Sequence, residues 1–260
     1  FDAHVYVNAV KEGQAVLIDA GNINLVMTPK APFIDTNYYL VGNMTDWQLD
    51  TNLKFAHSDA GVYEDPIFTI VFTTTEDDQC WKIIPQGNVD AGNIWAVENA
   101  PKGVVGIETD GDYAMSGTLL TTTSKGEKAN AGKIAKAGTY KMTINMMDYT
   151  YEIVKPTEFE YVALIGVGGK WSDGDDIDLT QVTPHNWYKA NVEIPEGGFK
   201  IRADHKWRDD GNWGFAENQN YESKGTLITS GGSGNIPVPA GTYNIYFNDI
   251  TGAYAFVEVK

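Results

Sequence analysis

Ala137-Gly138-Thr139-Tyr140-Lys141-Met142-Thr143-Ile144-Asn145-Met146 sets apolar side chains at 140, 142, 144 and 146 and polar ones between them. A period of two is that of a β-strand with one face buried and one wet. Asp148 turns the chain, and Tyr149, Tyr151 and Ile153 return at alternate positions, completing a hairpin. The same opening, Ala-Gly-Thr-Tyr, recurs at Ala240 to Tyr243. It leads into Tyr243, Ile245 and Phe247, a turn around Thr251-Gly252, and Tyr254 and Phe256.

Working back from these two hairpins uncovers two copies of one plan, about 38–155 and about 160–260. Each opens with an apolar strand ending in glycine, Tyr38-Tyr39-Leu40-Val41-Gly42 and Tyr161-Val162-Ala163-Leu164-Ile165-Gly166, and reaches a tryptophan soon after, Trp47 and Trp171. Trp81-Lys82-Ile83 matches Phe199-Lys200-Ile201, and Gly117-Thr118-Leu119 matches Gly225-Thr226-Leu227. Between these, Ala91-Gly92-Asn93-Ile94-Trp95-Ala96 aligns with Asp210-Gly211-Asn212-Trp213-Gly214-Phe215. Short strands punctuated by Gly, Asn and Asp turns predict an all-β chain of two tandem immunoglobulin-like antiparallel β-sandwich domains. A copy of this length can bury its own core, so the copies read as domains rather than solenoid repeats. The expected division is 1–36, 37–156 and 157–260. The first piece carries strand-like runs (Ala15 to Ile18, Ile23 to Met27) and a stiff linker, Thr28-Pro29-Lys30-Ala31-Pro32. It reads as the end of a preceding domain or as a docked hairpin. The chain starts at Phe1 rather than methionine, so a mature or partial chain is expected, with any signal peptide or lipid anchor outside it.

A net charge of −16 argues against nucleic acid, whose phosphates demand a basic surface. It offers no basic cluster for an anionic membrane surface either. With Cys80 as the single cysteine, no internal disulfide and no cysteine-rich metal site is possible. Beside Trp81 in a strand-like run, Cys80 reads as a buried small hydrophobe. No cofactor is expected.

Seven tryptophans exceed what two sandwich cores need. In Phe199-Lys200-Ile201-Arg202-Ala203 the apolar residues point inward, which puts Lys200 and Arg202 outside and, by the match, Trp81 in the core and Lys82 outside. Trp47, Trp95, Trp171 and Trp213 lie among polar turn residues and read as loop aromatics, one pair per copy. A pyranose has an apolar CH face that stacks on indole and a rim of hydroxyls that wants polar partners. Lys82 and Asn93 beside the first pair, and Lys200, Arg202 and Asn212 beside the second, are the candidate hydrogen-bonding side chains.

Taken together, these motifs resemble the SusE/SusF-type outer-membrane lipoproteins of Bacteroidetes, over roughly residues 30 to 260. The resemblance implies a surface-exposed, lipid-anchored, non-enzymatic protein that holds starch or a related glycan near other glycan-uptake proteins of the outer membrane. It implies sites of two aromatics in an arc flanked by a lysine or arginine: Trp47, Trp95 and Lys82 in the first domain, and Trp171, Trp213, Lys200 and Arg202 in the second. The first copy departs from the second at Ile84, which stands where the second has Arg202, and at Ile94. The second site is therefore expected to be the stronger, with more to lose at Trp213 than at Trp95.

Other readings compete. A structural or adhesive module would use the same loop aromatics on a protein partner. A glycoside hydrolase needs two carboxylates across a cleft, and no Asp or Glu recurs in an apolar context that would raise its pKa. Asp173-Gly174-Asp175-Asp176-Ile177-Asp178 is either a solvated acidic turn or an incomplete calcium loop lacking a bidentate glutamate. No metal site is assigned to it.

Overall fold

The structure is a computed structural model that describes residues 2–11, 14–24, 31–95, 103–229 and 232–260, with side chains from residue 31 onward. It opens with a two-stranded antiparallel sheet, β1 (Asp2–Lys11) and β2 (Gln14–Asn24), whose strands pair, among the described residues, only with each other. Most of the expected linker, residues 28–30, lies outside the described residues.

The first sandwich contains β3 (Tyr38–Gly42), β4 (Ile67–Thr74), β5 (Gln79–Pro85), β6 (Ser116–Thr118), β7 (Gly132–Ile134), β8 (Gly138–Asn145) and β9 (Thr150–Val154). Its two antiparallel sheets run in the orders β3-β5-β7 and β4-β8-β9-β6. The alternation that defined the hairpin is realised in β8 and β9, where Tyr140, Met142, Ile144, Tyr151 and Ile153 face a core shared with Leu40, Phe68, Trp81 and Ile83. Trp81 is fully buried there, edge-on to Tyr151 at 5.1 Å, as strand parity required. A Cβ on Gly132 would stand 2.3 Å from the Trp81 ring, so the neighbouring strand can pass only as glycine.

The second sandwich contains β10 (Val162–Ile165), β11 (Ile177–Asp178), β12 (Thr180–Thr183), β13 (Asn186–Ile194), β14 (Lys200–Ala203), β15 (Asn212–Gly214), β16 (Lys224–Thr226), β17 (Ile228–Thr229), β18 (Gly241–Asn248) and β19 (Ala253–Glu258). Its sheets run β11-β10-β14-β15-β17 and β12-β13-β18-β19-β16, all antiparallel, around a core that includes Leu164, Phe199, Ile201, Ile245 and Phe256. The fold is therefore two antiparallel β-sandwiches in tandem. Among the described residues the one α-helix is a single turn, Gln86–Asp90, and no helix is long and apolar enough to cross a membrane.

Strand pairing corrects one element of the repeat alignment. Ile201 pairs with Trp213, Gly214 with Ile228 and Phe215 with Gly234. In the first sandwich the same ladder is Ile83 with Val105, Gly106 with Leu120 and Ile107 with Asn130. The counterpart of Asn212-Trp213-Gly214-Phe215 is thus Val104-Val105-Gly106-Ile107, and the stretch around Asn93-Ile94-Trp95 is an insertion between the second and third strands of its sheet. The shared Gly-Asn letters belong to a loop in one copy and a strand in the other.

Candidate functional site

Of the β3-β5-β7 sheet, one face closes the sandwich. On the other, Tyr39, Val41, Ile84 and Val104 form a second apolar cluster on which Trp47 and Trp95 pack, both half-buried. This is why all five residues of β3 are buried. A strand covered on both faces reads as a continuous apolar run instead of alternating.

Each tryptophan is held from its own loop. After β3 the chain makes a short 3₁₀ turn at Asn43–Thr45, with Trp47 N–H donating to Gly42 O at 2.9 Å. Asn43 Oδ1 accepts from Cys80 N–H at 2.7 Å and ties this loop to β5. Asp46 and Trp47 both adopt positive φ, 50° and 59°. A bulky side chain rarely accepts that conformation unless its surroundings impose it, and such positions concentrate at functional sites. Trp95 follows the single-turn helix. Its N–H donates to Asn93 Oδ1 at 3.0 Å, and Ile94 O accepts from the buried Asn88 Nδ2 at 2.8 Å. Asn93 therefore acts on the loop that presents Trp95.

The two indoles stand 6.1 Å apart between centroids at an interplanar angle of 50°, forming a concave arc. They line a cleft of about 450 Å³ together with Lys82, Asp110 and Lys128, within the size range of small-ligand sites. Lys82 Nζ donates to Ala129 O at 2.6 Å, which fixes the ammonium at the cleft wall. Cys80 also lines the cleft and is only half-buried, so it is not the interior hydrophobe expected. It lies two residues before Lys82 and shares its outward face. The three first-domain residues of the expected arc, Trp47, Trp95 and Lys82, are thus brought together, and Asp110 and Lys128 join them from segments without a motif.

The second sandwich differs from expectation. Trp213 is a core residue, 1% exposed, edge-on to Phe159 at 5.5 Å and Phe247 at 5.1 Å. It sits on β15 opposite Ile201, and antiparallel partners share a face, so both indole and isoleucine point inward. Trp213 cannot meet a ligand from there. The aromatic beside Trp171 is Trp207, in the turn between β14 and β15, topologically where Trp95 lies in the first sandwich. These two rings are 38% and 50% exposed, 6.4 Å apart and inclined by 27°, a flatter and more open pair than Trp47–Trp95. The turn carrying Trp207 is cross-braced: Asp204 caps the N–H groups of Glu160 and Tyr161 and receives Arg208, whose fork also grips Asp210. Gly166 lies beneath Trp171, where a Cβ would come within 2.3 Å of the ring at a φ of 95°.

Lys200 is half-buried and donates to Ser233 Oγ at 3.3 Å. Burial lowers its pKa from the ordinary lysine value. Through the pairings Ile107–Asn130 and Phe215–Gly234, Ser233 is the counterpart of Ala129, so Lys82 and Lys200 reach equivalent points. Arg202 and Asn212, expected as outward hydrogen-bonding groups, are buried, at 0% and 5% exposure. Arg202 donates through Nε and Nη2 to the two oxygens of Asp176 at 2.7 and 2.6 Å, with Asp173 at 3.6 Å. That pair holds the Asp176 carboxyl below its ordinary pKa. The acidic loop is explained the same way. Asp176 answers Arg202, Asp178 faces His205, and Asp175 caps Ser172 N–H.

The first sandwich thus presents an arc of two indoles over a cleft with a lysine in its wall. Residues 33–155 match the family model described as "SusF, first starch specific CBM", a stretch that contains the whole first core and the cleft. Over that sandwich the chain is similar to the SusE/SusF-type proteins. A solved structure, the crystal structure of SusF from Bacteroides thetaiotaomicron, aligns over 100% of this chain and 57% of its own, with a TM-score of 0.38 and 15% identity. No curated protein matches the sequence.

Proposed function

We propose that this chain binds a polysaccharide without cleaving it, and that the ligand is an α-linked glucan, starch first among them. The observation that carries the reading is the 50° tilt of Trp47 against Trp95 over the cleft. A curved glucan presents successive sugar faces at an angle, whereas a flat platform would suit a straight β-linked chain. The indoles supply stacking area, and Lys82, Asp110 and Lys128 supply donors and acceptors to ring hydroxyls. The match of residues 33–155 to a family model named for starch supports the choice of ligand. Of the described residues lining the cleft, Asp110 is the one carboxylate, where hydrolysis of a glycoside calls for two.

Trp171 and Trp207, with Lys200 at the point equivalent to Lys82, form a second and more open platform in this reading. Boundaries near 37–156 and 157–260 give each domain one platform, except that Ile34 packs into the first core and Asp35 caps Gly87, so the first domain starts a few residues earlier than 37. The segment before it is the end of a preceding domain or a docked hairpin. Two weak sites on one chain reinforce each other on a polymer long enough to reach both. A lipid-anchored position on the outer membrane, beside other glycan-uptake proteins, fits the same role. Native electrophoresis through gels containing starch, other glucans, fructans or xylans tests the proposal. Retardation by starch that is lost in Trp47→Ala supports it. Unaltered mobility in every gel returns the protein to the adhesive reading, and retardation by another glycan alone removes starch.

A further inference from the structure

The two platforms rest on different floors. Register equates Tyr39, Val41, Ile84 and Val104 with Ala163, Ile165, Arg202 and Asn212. The first floor is wholly apolar. In the second, Ile84 is replaced by an arginine whose guanidinium carbon lies 5.1 Å from the centroid of Trp207 and which is fully buried. The Asp176 side chain that grips it from the β11 loop is 6% exposed. Neither charge is placed to meet a ligand while Trp207 stands as it does.

We infer that Arg202 is a positioning residue: clamped by Asp176, it holds the Trp207 indole from beneath by a cation–π contact. A planar guanidinium can give its edge to a carboxylate and its face to an indole at the same time, which an ammonium cannot. The small Ala163, where the first floor has Tyr39, leaves the wider guanidinium the room. Arg202 Nη1 and Asn212 Oδ1 are both buried without a hydrogen-bond partner. Burial of unsatisfied groups is costly, so this strut is tolerated for what it positions. The inference rests on the second platform of the proposed function, and its test reads that platform both with and without glucan.

The test uses the full chain with Trp47→Ala, so that binding of a short α-glucan reports the second platform. Trp207 exposure is read separately, as acrylamide quenching of each variant minus that of the same variant carrying Trp207→Phe. With Asp176→Asn the strut loosens: Trp207 quenching rises and affinity falls about two- to five-fold. If Arg202 instead binds sugar directly, releasing it leaves affinity unchanged or raised, and that result overturns the inference. A lone substitution at a buried ion pair can unfold a domain, so the pair is also replaced whole, as Asp176→Leu with Arg202→Met. This rebuilds the apolar floor of the first sandwich and is expected to keep Trp207 quenching at the parental level and affinity within about three-fold. Loss of binding by that folded double variant sinks the strut. Should the parent bind no glucan, the quenching series still decides, since unchanged Trp207 quenching in Asp176→Asn refutes it.

Discussion

The first sandwich builds its aromatic pair on an apolar floor and hides half of each ring in a cleft. The second builds it over a buried ion pair and leaves both rings more exposed. Both solutions keep the same positions in the topology: one tryptophan after the first strand of the sheet, one between its second and third strands, and a lysine on the second strand. What varies is how the rings are supported and how they are tilted, 50° against 27°. Topology therefore fixes where a platform stands, while the floor beneath it sets its shape. On the proposed function, a pair tilted into a cleft would grip a bent chain, and an open, flatter pair would accept a polymer passing across it. On this ground we expect the reverse of the sequence-based ranking, since the first cleft is walled on more sides.

The comparison breaks most visibly at Trp213. Trp213→Ala removes a core indole and should cost the second sandwich about 3–5 kcal/mol, read in urea as an early transition of that domain alone. If the variant keeps wild-type stability and only loses glucan, Trp213 belongs to a platform after all. Next in size are Trp95→Ala and Trp207→Ala, each expected to weaken its own site about ten-fold with little change in unfolding. Stacking of a base on an aromatic ring contributes roughly 1–3 kcal/mol and sets a ceiling for a sugar. Calorimetric titration with a short oligosaccharide, in a background where the other platform is silenced, compares the two. A greater loss at Trp207 would restore the second site to first rank.

Gly166→Ala sharpens the contrast further, because among the described glycines only Gly166, in the second platform, has positive φ and a platform ring resting on it. Backbone strain of about 1–2 kcal/mol is expected, together with a displaced Trp171 and a second site weakened less than by Trp207→Ala. An unaltered affinity would show that Trp171 is dispensable. The smallest effect concerns pH. Arg202 depresses the Asp176 pKa, so the clamp is complete above the ordinary carboxylate value, about pH 4, and is lost only as pH falls through the lowered one. Second-site affinity should stay flat from pH 8 to about pH 4. A fall between pH 7 and pH 5 would point to a different titrating group.

The parts of this protein legible from residues alone are those written in local periods. Alternation in Tyr140–Met146 and its counterpart fixed the strands, and the parity of Phe199-Lys200-Ile201 placed Trp81 inside and both lysines outside. The same parity, applied one step further, would have put Cys80 beside Lys82 in the cleft. It would also have set Trp213 with Phe215 on one buried face. The letters Gly-Asn pulled the other way, because a three-residue match carries no record of an insertion. That match keeps Trp207, a further aromatic in the loop before Gly211, out of the expected pair, although it lies in the turn that the ladder of strand pairs equates with the Trp95 loop.

The sequence by itself determined a duplicated all-β chain, its hairpins, the first aromatic pair and the lysines beside each platform, since each follows from spacing along one strand or one loop. Tertiary structure alone decided which tryptophan completes the second pair, that Arg202 lies under it instead of beside it, and how far each pair of rings is tilted. Those outcomes depend on which strands pair and on a carboxylate arriving from another loop, and contacts between segments distant in the chain leave no period in it to read.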